Sequence, residues 1–215
     1  MVKRKNKYRW DDYTRQFYSH INRRLIWLEG AFEREVALSF EFSKNIVRYQ
    51  SQPVRLSYRD AEQAERVYTP DFVVTFSDAP TWSSFTFIEA KKAEFACKPD
   101  FRELMRCVRV SLTHKPWAAS AALRVVTENE SGNSIVQSNY QRLYHYKRVP
   151  VERHICPHTL RKTFGGPISL SELRVWAERE GLPPPVPFAI IAHGYFDIDF
   201  TQLLSEETEL EFTKR

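Results

Sequence analysis

The sequence predicts an α/β fold, a mixed sheet flanked by helices, followed by a small C-terminal module. Three observations predict it. Apolar residues recur at helical spacing over 24–42 and again over 99–113, the stretches between them alternate in strand fashion, and proline and glycine punctuate the chain after residue 150.

Residues 24–42 read RLIWLEGAFEREVALSFEF, in which Leu28, Phe32, Val36 and Phe40 recur every fourth position. This spacing marks one face of a helix. Strands are expected at about 46–58, 66–77 and 84–91, where β-branched and aromatic residues alternate with polar ones. Pro99 suits an early helix position and opens a helix over 99–113, whose Phe101, Leu104, Val108 and Leu112 should cover the second face of the sheet. Leu123 to Thr127 reads as a short buried strand, Glu128 to Asn133 as the turn after it, and 134–146 as a helix.

Pro150, Pro157, Gly165, Gly166 and Pro167 form a connecting segment. Ser169-x-x-Glu172 then has the form of a capping box opening a helix from Leu170 to Glu180, which Gly181 ends. The prolines of Leu182 to Pro187 turn the chain into a second short apolar helix, Phe188 to His193, and Gly194 to Phe200 alternates like a strand. Helix, turn, helix, strand resembles a reduced winged-helix module. The expected division is therefore a main domain at 1–163 and a module at 164–215, with packing of the two as one domain as the alternative.

The candidate chemistry lies in Tyr68-Thr69-Pro70-Asp71-Phe72 and Phe87-Ile88-Glu89-Ala90-Lys91. Alternate residues of a strand face opposite sides, so Glu89 and Lys91 share a side while Ile88 and Ala90 face a core. In the earlier segment Tyr68, Phe72, Val74 and Phe76 share one parity and Asp71 has the other, which turns the acid away from the buried aromatics. Paired, these strands would gather two carboxylates and a lysine. A hard divalent cation needs such oxygens, and a lysine can stabilise charge on a phosphodiester transition state or orient the attacking water. The plain alternative is that Asp71 caps a turn after Pro70 and that Glu89 and Lys91 are exposed on an edge strand; a bare D-x(n)-E-x-K match arises often by chance.

A third acid extends the group. Glu29 and Glu33 flank the helical stripe, whereas Glu35 lies about 200° around the helix from Glu33 and should face solvent. Packed on the sheet by that stripe, the helix would bring Glu33 to the rim of the cluster; an ordinary surface acid is the alternative.

Taken in order, Glu33, Phe40-Glu41-Phe42, Ile46-Val47-Arg48-Tyr49, Gln52-Pro53-Val54, Arg66-x-Tyr68-Thr69-Pro70-Asp71-Phe72 and Glu89-Ala90-Lys91 resemble TnsA. TnsA is the endonuclease subunit of two-part transposases in cut-and-paste transposons, some of them CRISPR-associated. The resemblance spans most of residues 24–128, with a looser echo at the C-terminus. It implies a restriction-endonuclease-like PD-(D/E)xK core, with Glu33, Asp71, Glu89 and the Ala90 carbonyl as metal ligands and Lys91 as the catalytic lysine. Some relatives have Gln where this chain has Glu89. The implied cofactor is Mg2+, with Mn2+ as a substitute. The implied activity is cleavage at the 5′ ends of a transposon while a TnsB-like transposase cuts and joins the 3′ ends, and the C-terminal part is expected to contact a TnsC-like ATPase and DNA.

Composition agrees. The chain has 215 residues, 42% hydrophobic and 14% aromatic, enough for a packed core. No apolar run reaches the roughly 18 residues of a membrane span, and MVKRKNKYRW lacks a signal peptide's apolar segment, so a prokaryotic cytoplasmic protein without a membrane partner is expected. Cys97, Cys107 and Cys156 have no disulfide or zinc spacing and read as reduced thiols. A net charge of +5 favours a polyanion modestly. Basic residues interleave with aromatics over 3–24, and again over 140–162, where Arg142, Lys147, Arg148, Arg153, Arg161 and Lys162 run with Tyr140, Tyr144 and Tyr146. That mix suits phosphates and bases, although solvated charge explains it too. Glu206, Glu207, Glu209 and Glu211 make the other end acidic, a surface for protein rather than DNA. His154, Cys156 and His158 lack a fourth zinc ligand and read as loop. The competing functional classes are a restriction-type or junction-resolving nuclease and a non-cleaving DNA-binding adaptor.

Overall fold

The computed structural model describes residues 15–77, 85–118 and 121–213. The chain divides into two compact units, residues 1–131 and 132–215.

The first unit opens with β1 (Arg15–Ser19) and β2 (Arg24–Leu28), an antiparallel hairpin that sets Phe17 opposite Ile26. Arg24–Leu28 is thus a strand and not the first turns of a helix. Ile26 and Leu28 are buried while Leu25 and Trp27 are exposed, a period of two. Leu28 satisfies both periods, which is how the helical reading extended too far. The helix α1 (Ala31–Phe42) starts after Gly30 and buries Val36, Ala37, Leu38 and Phe40.

The remaining elements are β3 (Ile46–Ser51), β4 (Leu56–Arg59), β5 (Glu65–Tyr68), β6 (Phe72–Phe76), β7 (Thr86–Ala90), α2 (Ala93–Ala96), α3 (Pro99–Thr113), β8 (Ala122–Val126) and α4 (Glu128–Ser131). The central sheet has the order β3-β6-β7-β8. Its first two pairings are antiparallel and β7-β8 is parallel, so the sheet is mixed as expected. The expected strands at 46–58 and 66–77 are each broken. Gln52 takes φ +43 ahead of Pro53, and Pro70 has no N–H for a ladder, so β4 and β5 leave the sheet as a separate hairpin.

Helices cover both faces. On one, Phe40 of α1 meets Tyr49 and Phe72 edge to face, each with ring centroids 5.2 Å apart. On the other, Met105, Val108 and Leu112 of α3 pack with Phe87 and Leu123; Phe101 and Leu104 join this cluster only partly buried.

α1 is also tied down by a buried carboxylate. Glu41 accepts hydrogen bonds from Ser19 Oγ at 2.8 Å, Tyr49 Oη at 2.7 Å, and the backbone N–H groups of His20 at 3.1 Å and Ile21 at 3.3 Å. One side chain thereby joins the β1-β2 turn, α1 and β3.

The second unit contains α5 (Ser134–Tyr144), α6 (Pro157–Thr163), β9 (Ile168–Ser169), α7 (Leu170–Arg179), α8 (Val186–Ala192), β10 (Phe196–Asp197) and β11 (Glu209–Phe212), and its antiparallel sheet has the order β10-β11-β9. The capping box of Ser169 and Glu172 forms, and Gly181 follows α7 at φ +66. The unit begins well ahead of residue 164 because its early residues bond within it. Asn139 donates to the carbonyls of Phe200 and Gln202 and accepts from Leu204 N–H, Arg142 donates to the Leu204 carbonyl, and Tyr146 stacks on Phe188. Punctuation at 150–167 marks a turn of the chain inside the unit.

The Glu41 network yields a prediction. Glu41→Ala leaves four donors without their acceptor and should cost about 2–4 kcal/mol, against about 1 kcal/mol for Tyr49→Phe, read as shifts in the urea midpoint.

Candidate active site

Backbone register sets the site. β6 and β7 pair antiparallel with Phe72 opposite Ile88, so the next residues along, Asp71 and Glu89, also stand across from each other. Asp71 Oδ2 accepts the Ala90 N–H at 2.8 Å, which links the residue just ahead of β6 directly to the Glu89-Ala90-Lys91 strand end. Pro70, buried just before, ends the β5 pairing and aims the chain into β6.

Glu89 is 7% exposed. An edge-strand position would leave it in water, and β7 instead lies between β6 and β8. Its Oε1 lies 3.7 Å from Lys91 Nζ, and its Oε2 accepts from the Tyr68 hydroxyl. Lys91 follows β7, donates its backbone N–H to the Val126 carbonyl at 3.0 Å, and holds its ammonium 5.3 Å from the centre of the Phe101 ring. That ammonium keeps access to solvent, its side chain being 39% exposed. The strand therefore delivers Glu89 to the interior and Lys91 to the opening.

Glu33 sits in the first turn of α1, where its Oε2 accepts the backbone N–H of Glu29 at 2.9 Å. This arrangement satisfies a donor near the helix start. The structure thus brings Asp71, Glu89, the Ala90 peptide and Lys91 into one bonded group. Glu33 comes within electrostatic reach of Asp71 and Glu89 while its own hydrogen bond goes to the helix start. Glu35 is half-buried rather than fully solvated.

Tyr68 was not legible as a site residue. Strand parity placed it on the aromatic face with Phe72, but the break at Thr69-Pro70 resets parity, and its phenol points to Glu89. The signal that could have found it is the proline itself, since alternation cannot be counted across a residue that ends one ladder and begins another.

The carboxylates share an electrostatic cost. Burial pushes Glu33 from its ordinary 4.5 to about 7, with the charges of Glu29 and Glu89 adding to the rise and the Glu29 N–H and Lys91 opposing it. Asp71 is raised by burial, then by Glu89 and Glu33, against the pull of the Ala90 N–H and Lys91. Glu89 is also raised by burial, opposed by Tyr68 and Lys91. Three acids face one ammonium. Among the described residues no three acidic, histidine or cysteine side chains are drawn together tightly enough to form a finished metal cage. The donor set nevertheless fits a hard divalent cation, being all oxygen with negative charge in excess of its lysine.

Residues 43–120 match the model of the family described as TnsA-like endonuclease N terminal. This stretch is similar to the N-terminal domain of TnsA-like endonucleases. The match runs from the start of β3 past the end of α3 and takes in Asp71, Glu89, Ala90 and Lys91, while Glu33 precedes it. No curated protein matches the chain. The restriction-endonuclease-like expectation agrees with the mixed sheet flanked by helices, within which the TnsA-like match falls.

Other expected features are dispersed. Residues 3–14 of the basic, aromatic N-terminal stretch lie outside the described residues. In the second basic stretch Arg142 and Arg161 donate to the Leu204 and Thr213 carbonyls, and Tyr140 packs on Phe200, so these side chains hold the unit together. Cys97, Cys107 and Cys156 are free thiols, and His154, Cys156 and His158 are exposed around the start of α6. No helix among the described residues is long and apolar enough to cross a membrane.

The raised carboxylates make stability depend on pH. The folded protein holds protons that the unfolded chain releases, so this contribution is full below the ordinary carboxylate range and is lost as pH rises through about 7. Asp71→Asn keeps an oxygen for the Ala90 N–H and removes a charge. In EDTA at pH 8 it should stabilise the protein by about 1–2 kcal/mol, with little effect at pH 5, measured by thermal melts at both values.

Proposed function

We propose that this chain is a metal-dependent DNA endonuclease that cuts the 5′ ends of a transposon in cut-and-paste transposition, working with a TnsB-like transposase and a TnsC-like ATPase. The observation that carries the reading is the bonded group of Asp71, Glu89, the Ala90 peptide and Lys91, lying inside the TnsA-like endonuclease match. Restriction-type and adaptor readings lack an observation of their own.

Asp71, Glu89 and Glu33, with the Ala90 carbonyl, would hold Mg2+, or Mn2+ in its place. When bound, the cation lowers the pKa of a coordinated water and shields charge developing on the phosphate. Asp71 is held by the Ala90 N–H and by a hydrogen bond with the Glu89 side chain, so its carboxylate is oriented toward the cluster. Lys91 stands where its ammonium reaches the opening while Glu89 and the Phe101 ring confine it, and it stabilises the phosphate oxygens as water attacks phosphorus and the P–O ester bond breaks. Glu33, held through Oε2 by the Glu29 N–H, would contribute a carboxylate oxygen to the cation, whose charge would offset the burial that favours its proton.

The second unit fits a winged-helix-like role. From α6 onward its order of helix, strand, two helices and two strands, with β11 between β9 and β10, supports that reading, and contact with DNA or the ATPase belongs with it.

Lys91→Ala should lower nicking of transposon-end DNA by at least about 100-fold in the presence of the partner transposase. DNA binding measured by gel shift should stay within about twofold, because one phosphate contact contributes little to the total. An adaptor would be indifferent to the substitution, and a restriction-type nuclease would cut free DNA without the transposase.

A further inference from the structure

Resting on the metal-nuclease reading above, we infer that Tyr68 is a positioning residue for Glu89: its phenol holds one carboxylate oxygen so that the other is presented to Lys91 and the cation. Tyr68 ends β5, in the two-stranded hairpin where it stands opposite Leu56, whereas Glu89 belongs to the central sheet. The phenol therefore reaches the carboxylate from a different sheet. Thr69 and Pro70 are all that separate Tyr68 from Asp71, so one short segment grips the end of β7 twice, through the Tyr68 hydroxyl on Glu89 and through Asp71 on the Ala90 N–H.

The last torsion of a glutamate is broad and settles on no single angle unaided. Here the two oxygens have different partners, Tyr68 on Oε2 and Lys91 on Oε1, and with Asp71 also bonded to the carboxylate these contacts orient its plane. The identity of the donor matters as well. A phenol orients the carboxylate while leaving its charge available to a cation, whereas an arginine or lysine in its place would neutralise it.

The test is Tyr68→Phe in the full chain, titrated with Mn2+ by calorimetry and assayed for nicking with the partner transposase and transposon-end DNA. The expected result is Mn2+ binding weakened by between about 10-fold and 100-fold, with nicking that recovers toward the wild-type rate as Mn2+ is raised and a melting temperature in EDTA near that of the wild type. A Mn2+ affinity equal to the wild type's overturns the inference, because the hydroxyl then only satisfies a buried oxygen. So does a nicking defect that extra Mn2+ does not relieve, or a loss of folding in EDTA, since either places the role in general structure. A wild-type protein that takes up no Mn2+ overturns the metal-nuclease reading, and this inference with it, and so is told apart from a failure of Tyr68 alone.

Discussion

Negative charge crowded beside too little positive charge is the constraint on which the rest of this structure depends. Glu33, Asp71 and Glu89 are withdrawn from water and feel one another, and Lys91 is the ammonium that answers them. Left to itself such a group would take up protons or pull apart. The fold prevents separation by hydrogen bonds that cost it nothing in charge: the Ala90 N–H on Asp71, the Tyr68 phenol on Glu89 and the Glu29 N–H on Glu33. Each is a neutral donor. Burial favours protons on these acids, and a cation bound among them would displace those protons.

Architecture exists to hold those donors in place. Asp71 and Glu89 face each other because β6 and β7 pair with Phe72 opposite Ile88, and a slip of one residue would send one acid to the opposite face. α1 brings Glu33 near only while Val36, Leu38 and Phe40 stay packed, and Glu41 fastens that helix to the β1-β2 turn and to Tyr49. Two acids on one helix, Glu41 buried and Glu33 half-buried, thus behave in contrasting ways. Glu41 is surrounded by donors and serves the fold, while Glu33 has one donor and nearby like charges, and serves the site. Stability and function are divided between residues eight apart in the same element.

Much of this was legible in the sequence. Spacing alone located α3, bounded by Pro99, and the capping box of α7. Parity brought Asp71, Glu89 and Lys91 to one place, and the helical stripe brought Glu33 near it. What was misread shares a cause, which is periodicity carried across a break. Leu28 fits both a strand and a helix, so α1 seemed to begin too early; Pro53 and Pro70 cut two apparent long strands into four, and with the second cut went the orientation of Tyr68. The unit starting at residue 132 depends on Asn139, Arg142 and Tyr146 meeting residues from 188 to 204, contacts between distant positions that local patterns do not encode. The same contacts explain why charges and aromatics read as a nucleic-acid surface are partly spent on packing.

Anomalous diffraction from crystals of the wild-type protein soaked in Mn2+ addresses the charge imbalance most directly. A manganese peak bounded by the carboxylates of Asp71 and Glu89, with Lys91 beside it, is the predicted result. A structure in which the metal settles elsewhere, with Asp71 and Glu89 still bonded only to the protein, would contradict the account.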